Sequence, residues 1–177
     1  MIVISDTAPI IIFGKISRLF LLKELYTKVY IPLEVWNELI YPLSQNYEKI
    51  PKDLKYELEA KKSGWLIVKN PEKEDNVEIA FKLSHKLGIG EAYAIALSID
   101  LSADILIIND KEAMKEAANY GIKTKWITDV LLDAASKNLI KSFKEFKELL
   151  NLTVENGLWI EKDYLNKTLE DAERIFN

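Results

Sequence analysis

Four carboxylates, Asp6, Glu38, Glu91 and Asp110, stand where they could do chemistry. Asp6 comes just after the apolar run Ile2-Val3-Ile4, and Asp110 just after Ile105 to Ile108. If both runs are central strands of one parallel sheet, the two acids sit at neighbouring strand tips. Open parallel sheets place their sites there. Two ionised carboxylates at that spacing repel each other unless one is protonated or a cation bridges them. Glu91 follows Gly88 and Gly90 and opens an otherwise apolar helix, where the helix dipole favours an anion and the glycines permit close backbone approach. Glu38 lies among Val35, Trp36, Leu39 and Ile40, three residues after Val35, which puts it on the inward side of its helix. Glu34, one turn earlier, is its rival.

Each acid alone has a plain structural role open to it. Asp6 and Asp110 could cap the helices that follow them. Glu91 could be an ordinary first-turn glutamate, and Glu38 a solvated one. What singles them out is their convergence on one end of the expected sheet in a chain short of other ligands. The 177 residues contain no cysteine and one histidine, His85. That excludes disulfides, thiolate zinc sites, a cysteine nucleophile and histidine-rich metal sites. His85, in KLSHKLG at a helix end, reads as a surface residue, and no nucleophile elbow accompanies it. A metal here must be held by oxygen, which suits Mg²⁺ or Mn²⁺ better than Zn²⁺.

The elements that must position these acids follow from the apolar patterning. Short β-branched runs alternate with longer helical periods. Strands are expected at 2–4, 28–31, 65–68, 105–108 and 123–127. Helices are expected from Pro9, over 17–26 with Ser17 as N-cap, over 33–40, over 53–62 and through the charged segment ending at Gly88. More follow from Gly90, over 110–120, from a Thr128 or Asp129 cap to Asn138, over 142–150 and over 161–176. Residues 42–52 read as a loop. Strand–helix alternation predicts an α/β fold, a three-layer α/β/α sandwich around a parallel sheet. The chain is expected to form a single domain over 1–177, with 142–177 as C-terminal helices packed onto it.

The net charge is −4, with 24 Lys and Arg against 28 Asp and Glu, so non-specific phosphate binding is not the expected mode. Lysine and glutamate dominate and Gln45 is the one glutamine, a thermophile pattern that an A/T-rich genome would also produce. The first apolar run lacks a basic leader, and no run approaches the roughly 18 residues needed to cross a bilayer. The expected compartment is the cytoplasm, with no membrane partner.

The segments SDTAPII, PLEVWNELI, GIGEAYAIAL, ADILIIND and NYGIK, in this order, resemble the PIN-domain family, in particular VapC-like ribonucleases. The resemblance covers about residues 2–140, and Leu158 to Phe176 is similar to the C-terminal helix of one PIN subgroup. It implies a PIN-type sandwich and Mg²⁺- or Mn²⁺-dependent endonucleolytic cleavage of single-stranded RNA. It also implies a toxin of a toxin–antitoxin pair, with a cognate antitoxin as partner and a homodimer as a frequent assembly. The family's four acidic positions fall on Asp6, Glu38, Glu91 and Asp110. Thr7 matches the hydroxyl residue beside the first acid. Ile108 departs from the pattern, since many relatives carry Thr or Ser there. Glu112 and Asp129 are weaker candidates for an outer carboxylate, and Lys15, Arg18, Lys111 and Lys115 for RNA contacts. A PIN-fold binding or regulatory module with little nuclease activity is the alternative reading.

Overall fold

A computed structural model describes residues 1–44 and 51–177. The chain runs β1 (Val3–Ser5), α1 (Thr7–Lys15), α2 (Phe20–Tyr26), β2 (Val29–Ile31), α3 (Leu33–Ser44), α4 (Lys52–Lys62) and β3 (Leu66–Val68). It continues α5 (Glu74–Leu83), α6 (Ile89–Asp100), β4 (Ile105–Ile107), α7 (Lys111–Asn119), β5 (Thr124–Lys125), α8 (Ile127–Ser136), α9 (Phe143–Glu155) and α10 (Lys162–Phe176). The five strands form one all-parallel sheet in the order β3-β2-β1-β4-β5. The α/β sandwich is as expected, and β1 and β4 are neighbours, paired Val3↔Ile105, Ile4↔Leu106 and Ser5↔Ile107.

The alternation of side chains along the strands divides the core into two layers. Val3 and Ile107 point to one face, where Ile10 and Phe13 of α1, Leu21 and Leu22 of α2 and Val130 and Leu131 of α8 cover them. Ile4, Leu106 and Ile108 point to the other, under Ala92 and Ile95 of α6 and Ala113 and Ala117 of α7. Ile108 is fully buried there, so the position where many relatives place a hydroxyl serves the apolar core. Truncating a fully buried anchor such as Phe13 to alanine should cost about 3–5 kcal/mol. Helices α9 and α10 pack on α8 and on each other, and Phe146, Leu149 and Ala172 join the first layer.

Five local expectations are corrected. Ser17 is not the N-cap of α2. It ends α1 in the left-handed region (φ 56°), with its N–H on Gly14 O at 2.9 Å and Arg18 N–H on Phe13 O at 2.8 Å. This is a Schellman ending, so α2 starts at Phe20. The helix from Leu33 does not stop at Ile40 but runs to Ser44 through Pro42. The turns before Pro42 are anchored by buried Trp36 and Leu39, and the proline removes only one hydrogen bond of the last turn. The expected loop over 42–52 is thus helical at both ends, and its middle, 45–50, lies outside the described residues. The fifth strand is two residues long because Trp126 is already the N-cap of α8. Asp129 reaches back from the third helical position to accept the Trp126 N–H at 2.7 Å, so neither it nor Thr128 is the N-cap.

Candidate active site

Parallel strands bring their carboxyl ends to one edge, and the helix starts that follow them gather there. Asp6 N–H donates to Ile107 O at 3.1 Å, one step beyond the last β1–β4 pair. Asp6 therefore stands on the rim of the two central strands at the head of α1, and Asp110 stands at the head of α7. Gly88 and Glu91 open α6, and Glu34 and Glu38 lie in the first two turns of α3. The positive ends of these helix dipoles offset part of the repulsion among the acids.

The structural roles open to the acids divide cleanly. Asp110 does cap its helix, its Oδ1 accepting the Ala113 N–H at 2.8 Å. Glu91 closes a capping interaction, its Oε2 accepting the Gly88 N–H at 3.0 Å. Asp6 does neither. It occupies the N-cap position of α1, but its side chain makes no capping bond. Only 3% of Asp6 is exposed, and its Oδ1 has no hydrogen-bond partner. A buried carboxylate oxygen without a donor is costly unless a proton or a cation meets it.

Burial pushes the Asp6 carboxyl well above the usual carboxylate range, and the negative charges of Glu91, Glu38 and Asp110 push it further. The Asn109 backbone N–H works the other way and does not win. Glu91 is raised as well, by burial against the Gly88 hydrogen bond, then by Asp110 and Glu38. All four acids singled out from sequence are thus one electrostatic group. Neither Glu112, exposed on the first turn of α7, nor Asp129 is among the charges acting on Asp6. Both oxygens of Asp129 are engaged, with Trp126 N–H at 2.7 Å and the Tyr164 hydroxyl at 3.3 Å.

Thr7 Oγ1 donates to Glu38 Oε2, which aims that glutamate across the α1–α3 junction. Gly90 makes this possible. A Cβ there would stand 3.0 Å from Glu38 Oε1 and 3.1 Å from Thr7 Oγ1. Asp6, Thr7, Glu38, Gly88, Gly90 and Glu91 line a cleft of about 120 Å³. Glu34 also belongs near this edge: burial raises its pKa, its own backbone N–H opposes that, and Glu38 adds to it. Its Oε2 is buried without a partner. Spacing alone left it a rival to Glu38, whereas the fold uses both turns.

The basic residues separate. Lys15 and Arg18 lie at the far end of α1, about 12 Å along the helix from Thr7. Lys111 directly follows Asp110 and pairs with Glu161 at the start of α10, and Lys115 is exposed one turn on. His85 is exposed, with Nδ1 2.8 Å from Phe81 O and its ring edge-on to Phe81.

The donor set suits a hard divalent cation. Every candidate ligand is a carboxylate, Asp6 Oδ1 is orphaned, and a cation would relieve the repulsion that raises Asp6 and Glu91. Among the described residues, however, no three acids are drawn together tightly enough to hold an ion by themselves. The arrangement fits an ion that keeps water between itself and part of its ligands, as Mg²⁺ does.

No curated protein matches the chain. Among the described residues no helix is long and apolar enough to cross a membrane. A family model described as PIN domain matches residues 2–174, almost the whole chain, and PIN domains are generally nucleases that use divalent metals. Taken with the parallel sandwich and the acids gathered at its carboxyl edge, that match settles the family: the chain belongs to the PIN-domain family.

Proposed function

We propose that the protein is a metal-dependent endoribonuclease that cleaves single-stranded RNA, with Asp6, Glu38, Glu91 and Asp110 as its catalytic, metal-holding acids. The observation that carries this reading is Asp6, a buried carboxylate with an unmet oxygen surrounded by three further acids. Asp6 and Asp110, from adjacent strand tips, are the principal ligands of Mg²⁺ or Mn²⁺. Glu91 is a further ligand, and Glu38, oriented by Thr7, completes the set directly or through water. Such an ion supplies Lewis acidity, which lowers the pKa of water and offsets charge on the phosphodiester. The chain's own contribution is positional. Thr7 and Gly90 fix Glu38, and the Gly88 and Ala113 N–H groups fix Glu91 and Asp110. No general-base histidine is required.

The same reading makes the protein a VapC-like toxin of the cytoplasm, acting as one unit over residues 1–177. Phe146, Leu149 and Ala172 in the shared core support that unity. Its antitoxin would carry Arg or Lys to pair with the acids, and a homodimer is one assembly open to it. A second reading, a PIN-fold binding module with little activity, is favoured by the lack of a closed three-acid cage among the described residues. Digestion of matched single-stranded RNA and DNA with Mn²⁺, with and without EDTA, decides between them. Metal-dependent loss of the RNA supports the nuclease, and intact RNA in every ion supports the module.

A further inference from the structure

An acidic site that cuts RNA needs something beside it that attracts the strand, and a candidate next to the head of α7 is aromatic. Trp36, Trp65 and Trp126 are 6%, 8% and 7% exposed, whereas Trp159 is 66% exposed. Trp159 is not on a loose loop. Leu158 beside it is buried, with its N–H on Thr153 O at 2.9 Å, and Glu161 on its other side holds Lys111. The Lys111 ammonium lies 5.3 Å from the centre of the Trp159 ring. Lys111 is the residue after Asp110, so the ring is tied to the first residue of the helix that Asp110 caps. The same lysine and Glu161, with Met114, Trp126, Asp129 and Tyr164, line a hollow of about 250 Å³.

We propose that Trp159 is a stacking platform for an unpaired base of the substrate strand, held in place beside Asp110 by Lys111 and Glu161. The proposal rests on the nuclease reading above. An indole kept in water at a pinned position, next to a cation and a strand-cutting edge, suits base stacking, which tolerates any sequence because every base has a π-face. It also accounts for how a site of four acids retains an anionic strand: part of the affinity comes from the base rather than the phosphate.

Trp159 is the one exposed tryptophan of the four, so acrylamide quenching of tryptophan emission reports on it directly. With Ca²⁺ replacing the activating ion, a short unstructured oligoribonucleotide should protect this emission, and the same sequence as a duplex should not. Trp159→Ala should raise KM for single-stranded RNA by about 5- to 100-fold, with kcat within about twofold, and Trp159→Phe should recover most of the loss. If the wild type cleaves the oligonucleotide while Trp159 stays open to acrylamide, or Trp159→Ala leaves KM unchanged, stacking is overturned and the nuclease reading stands. If the wild type neither binds nor cleaves RNA in any ion, both fall.

Discussion

Helix α6 carries a carboxylate at each end, and the two are treated in opposite ways. At its C-terminal end Asp100 accepts Asn76 Nδ2 at 2.7 Å, Lys73 N–H at 3.1 Å and Glu72 N–H at 3.3 Å. Its slight burial raises its pKa, but Asn76, Lys73 and Glu72 outweigh that and hold it below the usual range. At the N-terminal end Glu91 opens onto Asp6, which is buried with an oxygen unmet and is raised by burial and by its acidic neighbours. One carboxylate is supplied with donors and ties α5 to α6. The other cluster concentrates like charge and leaves Asp6 Oδ1 unmet, with single donors on its neighbours. Asp100, met by three donors, serves the fold, whereas crowding Asp6 among like charges costs the fold stability, the pattern common at functional sites.

The largest separation should come from Asp6→Asn. RNA cleavage should fall by about 10³-fold or more, while the melting temperature of the metal-free protein rises by about 3 °C, because a buried charge is removed. Loss of activity together with loss of stability would break the contrast. Asp100→Ala should do the reverse. It leaves Asn76 and two backbone donors unmet, costing about 1–3 kcal/mol in urea unfolding, with cleavage per folded molecule unchanged. Gly90→Ala sharpens the point within the site. The new methyl meets only the movable end of Glu38 and the Thr7 hydroxyl, so helix α6 should hold or gain slightly while cleavage drops about tenfold. An unchanged rate would mean that Glu38 need not sit where Thr7 holds it.

The smallest effect is the pH dependence of the metal-free protein. Asp6 binds its proton more tightly when folded than when unfolded. Its ionisation therefore lowers stability as pH rises from its ordinary value of 3.8 through the raised one. Asp100, depressed in the fold, contributes stability above 3.8 that is lost as pH falls through its folded value. Together they place a shallow stability maximum on the mildly acidic side. Melting curves at a series of pH values should show the neutral-side decline lessen in Asp6→Asn, with Glu91 and Glu34 supplying the remainder, and the acid-side loss lessen in Asp100→Ala. A decline of undiminished size in Asp6→Asn would assign it wholly to other groups.

The sheet was legible because its strands are short apolar runs separated by helical periods. The β1–β4 adjacency followed from both being apolar on both faces. The four acids were legible because topology alone sends strand ends and helix starts to one edge. What stayed hidden depends on contacts distant in sequence or on local endings. Ser17 reads as an N-cap until it is seen completing the end of α1. Spacing puts Glu34 beside Glu38, but its partial burial and unmet Oε2 come from what packs against α3. Lys111 looked like a free phosphate contact, but its partner Glu161 lies fifty residues away. That Asp6 Oδ1 lacks a donor is likewise invisible in sequence, because it is a property of everything packed around it.

We propose that the crowded acids around Asp6, and not Asp100, form a cation-dependent RNA-cleaving site. It is tested by following cleavage of one single-stranded RNA by wild type, Asp6→Asn and Asp100→Asn side by side, each with Mn²⁺ and with EDTA. Product is expected from wild type and Asp100→Asn in Mn²⁺ only, and none from Asp6→Asn. Equal cleavage by Asp6→Asn and wild type, or cleavage that survives EDTA, would contradict it.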